Sequence, residues 1–464
     1  MKTDELIKKL KDIAGGGSVL YSEAERYCYA YDGTNSNEKL RIPEAVVLAE
    51  NTAQVSEIMK FASANKIPVV VRGAGTNLAG CCFTPEGGIL LHLSKMDKIL
   101  KIDKNNLMCT VQPGVVVGTL QEEVKKQGLF YPPDPSNLKV STIGGSIALS
   151  SGGPRTFKYG TTKDYVIDLE VVLADGRIMR TGAQTAKNVA GYNLTQLFVG
   201  SEGTLGIVTE AVLKLIPHPE TARVILAYFD KLEDCANAVG GIISNGLTPS
   251  VIDLLDIKTL QTIEKFCPSG LLTDKEAALL IEVDGFEADI EMQQNKVAEI
   301  CKQFNASALN IAKTKEEEEK IWTARRSAFA SCAKIAPDVL TEDVVVPRTK
   351  IPELVSGIKK IFDDYNLPAC IMGHAGDGNI HPNVALDLRN NTDAQNFKKA
   401  KDKLFALALD LGGTLSGEHG IGCEKAPYMK DAVDEVALES MKKIKQLFDP
   451  QNILNPQKIF REAT

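Results

Sequence analysis

The chain has 464 residues, 44% of them apolar, and a net charge of −7. That length suits two or three domains, and the mild acidity argues against a nucleic-acid binder, which carries a basic stripe. No apolar run reaches the ~18 residues of a membrane span, and the N-terminus lacks the apolar stretch of a secretory leader. The ten cysteines form no C-x-x-C pair, so they read as reduced, mostly buried thiols of a cytoplasmic protein rather than zinc or cluster ligands.

The N-terminus, residues 1–17, predicts a short amphipathic helix with Leu6, Ile7, Leu10 and Ile13 on one face. KIPVVVRGAGTNLAG (66–80) is a β-branched run ending in a glycine loop, and LEVVLADGRIMRTG (169–182) is a hairpin turning at Asp175-Gly176. SEGTLGIVTEAVLKLIPHP (201–219) is a loop and then a strand stopped by Pro217 and Pro219, where a domain boundary falls. Beyond it, strands at 222–230, 250–256 and 277–285 and helices at 232–246 and 287–305 suggest a ferredoxin-like antiparallel sheet. A long helix at 315–337 starts in an acidic run that suits a helix N-terminus. The last stretch, 434–460, is a helix followed by a Pro/Asn-punctuated tail.

Four glycine clusters crowd the first half: RGAGTNLAG (72–80), STIGGSIALSSGG (141–153), Lys158-Tyr159-Gly160 and GSEGTLG (200–206). Glycine lets backbone approach a ligand closely and turn its N–H groups on anionic oxygens. A single cluster would be a turn; four suggest one large phosphate-bearing ligand touched by several loops. None is a P-loop. The first lacks both the G-x-G-x-x-G spacing and the following acidic residue of a dinucleotide fold.

MGHAGDGNIHPN (372–383) holds two of the chain's five histidines. Asp377-Gly378 is a favoured two-residue type I′ turn, which would pair 374 with 381 and set His374 directly opposite His381 on one face. In LSGEHGIG (415–422), Glu418 adds a carboxylate and His419 another imidazole. His374, His381 and Glu418 would make a His₂-carboxylate metal site with open positions for substrate; the alternative is a pair of hairpin histidines that only hydrogen-bond. Asn383, two residues past His381, shares its face and is placed to bond a substrate. On the 315–337 helix, Trp322, Arg325, Phe329 and Cys332 fall on one face. A guanidinium there needs a carboxylate, either a substrate's or one within the protein. His92 and His218 read as structural residues.

RGAGTNLAG, YPPDPSN (131–137), STIGGSIALSSGG, KYGTTKDYV (158–166) and FVGSEGTLGIVTEAVLKL (198–215), in this order, resemble the FAD-binding domain of the vanillyl-alcohol oxidase/p-cresol methylhydroxylase superfamily over roughly residues 38–218. WTARRSAFA (322–330), PDVLTEDVVVP (337–347), the histidine hairpin, GEHGIG (417–422) and DPQNILNPQKIF (449–460) resemble the C-terminal domain of FAD-linked 2-hydroxy-acid dehydrogenases, the D-lactate dehydrogenase and glycolate oxidase FAD subunit type. The resemblance implies an α+β chain: a two-subdomain FAD-binding domain (1–218), a ferredoxin-like antiparallel-sheet cap with the metal site (219–420) and a C-terminal segment (421–464) returning to the FAD domain.

It further implies FAD contacts from Arg72, Gly73, Gly75, Thr76, Asn77, Gly80, Pro132, Ser141, Gly144, Gly145, Ser151, Gly203 and Ile207, with Asn455 near the flavin. No histidine lies in these loops, and a thiol link through Cys81 or Cys82 is the weaker reading, so FAD is expected to be non-covalent. By the same resemblance His374, His381 and Glu418 hold a divalent metal (Zn, Mn or Fe), His419 is the base and Arg325 clamps the substrate carboxylate. Relatives acting on dicarboxylates carry an extra basic residue where Thr341 stands here, which favours a small monocarboxylate, D-lactate first and glycolate next. The expected electron acceptor is a protein, either an electron-transferring flavoprotein or an iron–sulfur subunit. The alternatives are a D-2-hydroxyglutarate-type dehydrogenase, a non-redox FAD enzyme of the alkyl-dihydroxyacetone-phosphate synthase type, a plain metal hydrolase, and a flavin-carrying subunit with no substrate of its own.

Overall fold

The computed structural model describes residues 2–35 and 41–461, and the chain divides into two compact units. One comprises Met1–Gly152, Thr161–His218 and Glu418–Thr464, the other Gly153–Gly160 and Pro219–Gly417.

The first unit has two main sheets, each with its own core. In one, Ala45–Leu48, Ile89–His92 and Val69–Arg72 run parallel, with the short strand Val19–Leu20 antiparallel at the edge. Helix Thr52–Asn65 makes the crossover between the parallel strands Ala45–Leu48 and Val69–Arg72, which flank Ile89–His92. It opens at Asn51, whose side chain accepts the Gln54 N–H, and closes at Lys66 in the left-handed region. The predicted N-terminal helix forms over Thr3–Ala14 and buries Leu6 and Leu10 in the same core as Val47, Ile58 and Leu91. The other sheet is antiparallel, in the order Ile99–Asp103, Met108–Val111, Ile207–Lys214, Val166–Val172, Ile178–Arg180. Its predicted hairpin turns at Asp175-Gly176, where Gly176 has φ +83° and Leu173 N–H donates to the Arg177 carbonyl at 2.9 Å. Tyr131, Ile147, Leu169 and Phe198 fill its core.

The C-terminal tail returns to the parallel sheet. Val69 N–H donates to the Ile453 carbonyl at 2.7 Å, and Asn455 N–H to the Val69 carbonyl at 2.8 Å. Asn452 and Asn455 both have positive φ, a conformation asparagine tolerates better than most residues.

The second unit is built on an eight-stranded sheet. Its path runs Ala306–Ile311, Thr221–Phe229, Ala277–Gly285, Val251–Asp256, Ala369–His374, Asn379–Leu386, Asp338–Thr341, all neighbours antiparallel, with Val344–Val345 also paired to Asn379–Leu386. The first four strands lie in the spatial order fourth, first, third, second, so the expected ferredoxin-like sheet is present and later strands widen it. Strand alternation divides the side chains. Val224, Leu226, Leu255, Leu280 and Met372 share one core with helices Ile257–Phe266 and Lys315–Cys332.

Two details of the expected second half change. The long helix stops at Cys332, and its buried residues are Ile321, Ala324, Ala328, Ser331 and Cys332. Phe329 is 47% exposed, so it does not share a buried face with Cys332. The small alanines, rather than the large residues, let this helix come close to Ile257–Phe266. The segment Gly153–Gly160 belongs to this unit through polar contacts. Arg155 bonds Glu282 at 3.1 Å, Lys158 pairs with Asp284, and Tyr159 OH donates to Asp284 at 2.7 Å.

Candidate functional site

In the first unit the glycine loops converge around a few strained or tightly packed positions. Gly75 has φ +71°, and a Cβ there would overlap the Arg72 guanidinium. A Cβ on Gly73 would overlap the Thr142 hydroxyl, and one on Gly144 would come within 2.6 Å of Pro113. Thr142 caps helix Ile143–Leu149 by accepting the Gly145 N–H. Asn77 folds its own loop: its Oδ1 accepts the Cys81 N–H at 2.9 Å. Gly80, at φ +70°, donates its N–H to Thr34 at 2.8 Å, and Asn137 reaches the Thr76 carbonyl at 3.5 Å. Arg72 is buried and donates to the carbonyls of Tyr29 and Tyr31. Pro132 and Ile207 are buried, and the Ser151 carbonyl accepts both N–H and hydroxyl of Thr162.

These loops fit an anionic, many-oxygen cofactor. The Ser141 hydroxyl and Arg72 Nε are buried with no hydrogen-bond partner among the described residues. Buried polar groups of that kind call for a partner, and side-chain-free backbone at Gly73 and Gly75 gives close approach. Burial pushes the Cys82 thiol up to about 12 and lifts the Cys81 thiol well above its ordinary value, so neither is a ready nucleophile toward a flavin.

Three chain segments meet at Glu202. Asn455 Oδ1 accepts the Val71 N–H at 2.8 Å while its Nδ2 donates to the Glu202 carbonyl at 2.5 Å. The Glu202 carboxylate accepts the N–H groups of Ile421 and Gly422 at 2.7 and 2.8 Å. Burial pushes its pKa up against the pull of those two amides. Gly203, at φ +68°, leaves the space that Asn455 Nδ2 occupies. Just upstream, Glu418 Oε1 and His419 Nε2 lie 3.9 Å apart, both side chains about 15% exposed.

In the second unit the histidine hairpin differs in register from the expectation. His374 pairs with Asn379 and His381 with Met372, so the histidines are diagonal neighbours rather than directly opposite. The loop is four residues, 375–378, because tertiary bonds draw it out. Gly376 N–H donates to the Ile252 carbonyl of the next strand at 3.1 Å, and Val346 N–H to the Gly378 carbonyl at 3.1 Å. The pairing has moved by two residues, which preserves the face. His374 and His381 still converge, with ring centroids 5.3 Å apart.

Asp253, directly across from His374 on the adjoining strand, organises this face. Its Oδ1 lies 2.8 Å from His374 Nδ1, and its Oδ2 accepts from Arg325 Nε at 2.6 Å. Burial would push the Asp253 carboxyl up, but the Arg325 guanidinium and His374 outweigh it and hold it below the usual range. Asp343 plays a parallel part. It lies 3.7 Å from His381 Nδ1 and accepts from Ser416 Oγ at 2.5 Å and Gly417 N–H at 2.9 Å. It thereby fixes the two residues that precede Glu418 in the chain. Asn383 shares the His381 face as expected, but its amide is engaged: Oδ1 accepts from Thr341 at 2.7 Å, and Nδ2 donates to the His381 carbonyl at 3.0 Å.

Sequence reasoning missed Asp253, Asp343 and Glu202. The signal for Asp253 was a carboxylate in the middle of the apolar strand VIDLLD. Asp343 and Glu202 lay inside motifs that had been read only as wholes.

Two family models match: the FAD-binding domain over residues 43–182 and the C-terminal domain of FAD-linked oxidases over residues 218–459. This chain belongs to the FAD-linked oxidase family. Across the family, similarity extends end to end. Glycolate oxidase subunit GlcD of Bacillus subtilis is 45% identical over 99% of this chain and 97% of its own, and D-lactate dehydrogenase of Anaerostipes hadrus is 36% identical over 98% and 97%. p-Cresol methylhydroxylase shares the fold, with a TM-score of 0.83 at 18% identity over 98% of this chain and 96% of that one. The chain is thus an FAD-dependent oxidoreductase of the vanillyl-alcohol oxidase/p-cresol methylhydroxylase fold. Among the described residues no helix is long and apolar enough to cross a membrane.

Proposed function

We propose that this protein oxidises a small D-2-hydroxy acid, D-lactate first and glycolate next, to the 2-oxo acid and passes the electrons to a protein acceptor. The observation that carries the reading is the constellation on one sheet face: two converging histidines, one held by a buried aspartate that also holds an arginine. The names of the relatives, a glycolate oxidase subunit and a D-lactate dehydrogenase, support the same reaction class.

His374, His381 and Glu418 would hold a divalent cation. Asp253 accepts the His374 Nδ1–H, which leaves Nε2 as the ligand atom, and Asp343 steadies the chain just before Glu418. When bound, the cation supplies a Lewis acid for the substrate hydroxyl, and FAD, held without a covalent link, supplies the acceptor for the electron pair. Arg325 binds the substrate carboxylate through its terminal amino groups, since Asp253 occupies Nε. His419 takes the hydroxyl proton, a task that suits an imidazole near neutral pH. Asn383 keeps the His381 strand in place rather than touching substrate. Thr341 spends its hydroxyl on Asn383 and offers no cation for a second carboxylate, which favours a monocarboxylate over 2-hydroxyglutarate. The subunit wording in the glycolate oxidase name fits an electron-transferring flavoprotein or iron–sulfur subunit as acceptor.

The test is an anaerobic visible spectrum of the purified protein before and after D-lactate, with L-lactate and glycolate in parallel, each with and without a chelator. Bleaching by D-lactate that the chelator abolishes is expected. A yellow protein bleached by none of the three would overturn the substrate assignment, and bleaching indifferent to chelator would overturn the metal.

A further inference from the structure

Glu202 sits where few residues other than glycine do, with φ +52°, and is 5% exposed. Left-handed backbone is strained in such a residue and persists where the surroundings demand it. Here they do. The carboxylate accepts two consecutive amides, Ile421 at 2.7 Å and Gly422 at 2.8 Å, and Cys81 Sγ lies 3.5 Å from Oε2.

What those bonds hold is the stretch just after His419. Residues 415–421 form no helix or strand, so no regular ladder fixes the imidazole. Gly420, the only residue between His419 and Ile421, has φ +85°, and a Cβ there would come within 2.7 Å of Leu149 and 3.1 Å of the Glu202 carboxylate. The turn is pressed against the very group that bonds it. Beyond Gly422, Cys423 and Glu424 donate to the Ala79 carbonyl at 3.0 and 3.2 Å, so on the C-terminal side of the histidine the Glu202 bonds come first along the chain.

We propose that Glu202 is the positioning residue for His419, tethering the histidine loop to the glycine loop at 200–206 so that the imidazole is held for proton removal. The proposal rests on His419 being the base. Its test is a double-mutant cycle read by anaerobic stopped-flow flavin reduction, using whichever of D-lactate and glycolate reduces the wild-type protein faster. Glu202→Gln sets an NH₂ group against one of the two amides. It is expected to retain FAD and to lower the limiting reduction rate at least ten-fold, while half-saturation by substrate changes less than three-fold. Glu202→Asp, with the carboxylate kept, is expected to recover part of the loss. On a His419→Asn background, Glu202→Gln should lower the rate no further, because a residue acting through another shows no independent effect. If Glu202→Gln sheds its FAD, Glu202→Asp takes its place in the cycle. Equal losses in both backgrounds, or a wild-type rate in the variant, would overturn the tether alone. A wild-type rate in His419→Asn would overturn the base assignment, and the tether with it.

Discussion

The carboxylate of Asp253 is fully buried between Arg325 and His374. A charge in that position is tolerated because it is paired on both oxygens. Replacing it by asparagine keeps the shape but removes the charge that orients the His374 ring and anchors Arg325. Asp253→Asn is therefore expected to weaken divalent-metal binding about 10–100-fold, measured by titrating metal into the metal-free protein. Unchanged affinity would mean that His374 is not a ligand. His92 offers a pH test away from that site. Burial, and then the Arg72 guanidinium opposite it, lower its pKa from 6.5 to about 4. The unfolded chain therefore binds the proton first: stability is full above about pH 6.5 and falls as pH drops toward 4. The loss amounts to roughly 3 kcal/mol at most. Unfolding midpoints in denaturant between pH 7 and 4 should show that slope, and His92→Gln should flatten it.

At the scale of the element, the histidine hairpin shows what a local rule leaves out. Asp-Gly predicts a two-residue turn, and Gly378 does carry the positive φ such a turn wants, at +82°. Yet the loop takes four residues, because its amides and carbonyls find partners on neighbouring segments. A Cβ on Gly378 would overlap the Val346 carbonyl. Gly378→Ala is expected to cost roughly 2 kcal/mol or more through left-handed strain and that overlap, read as a lowered melting temperature of the metal-free protein. A variant as stable as wild type would show that the loop can be re-formed without its tertiary bonds. The long helix teaches the same lesson from its packing. Arg325 was legible as a charge needing a carboxylate, but the partner, Asp253, comes from a strand 72 residues earlier.

Across the whole molecule, the first unit is assembled from three stretches of chain, including the C-terminal 47 residues that begin at Glu418. A cofactor held by its loops should stabilise all three together. FAD added at about 100 times its Kd to cofactor-free protein supplies about 2.7 kcal/mol. This should raise the melting transition of that unit by roughly 5–10 °C. Calorimetry showing no shift with FAD would contradict a cofactor site in these loops.

Much of this was readable from residues in order. Glycine clusters, alternating strands, the His-His spacing and the GEHG stretch depend on local geometry, which short segments carry by themselves. Three strands of the ferredoxin-like half emerged close to their observed bounds because a short apolar run is a local property of the chain, whereas the fourth, Ala306–Ile311, and the helix Ile257–Phe266 were not legible. Tertiary structure decided the rest: the four-residue hairpin loop, the outward placement of Phe329, the hydrogen bond from Thr341 to Asn383, and the partners Asp253, Asp343 and Glu202. Each depends on atoms distant in sequence meeting in space. A hydrogen bond between residues 202 and 421 has no local trace, because its energy is realised only once the intervening chain has folded around it.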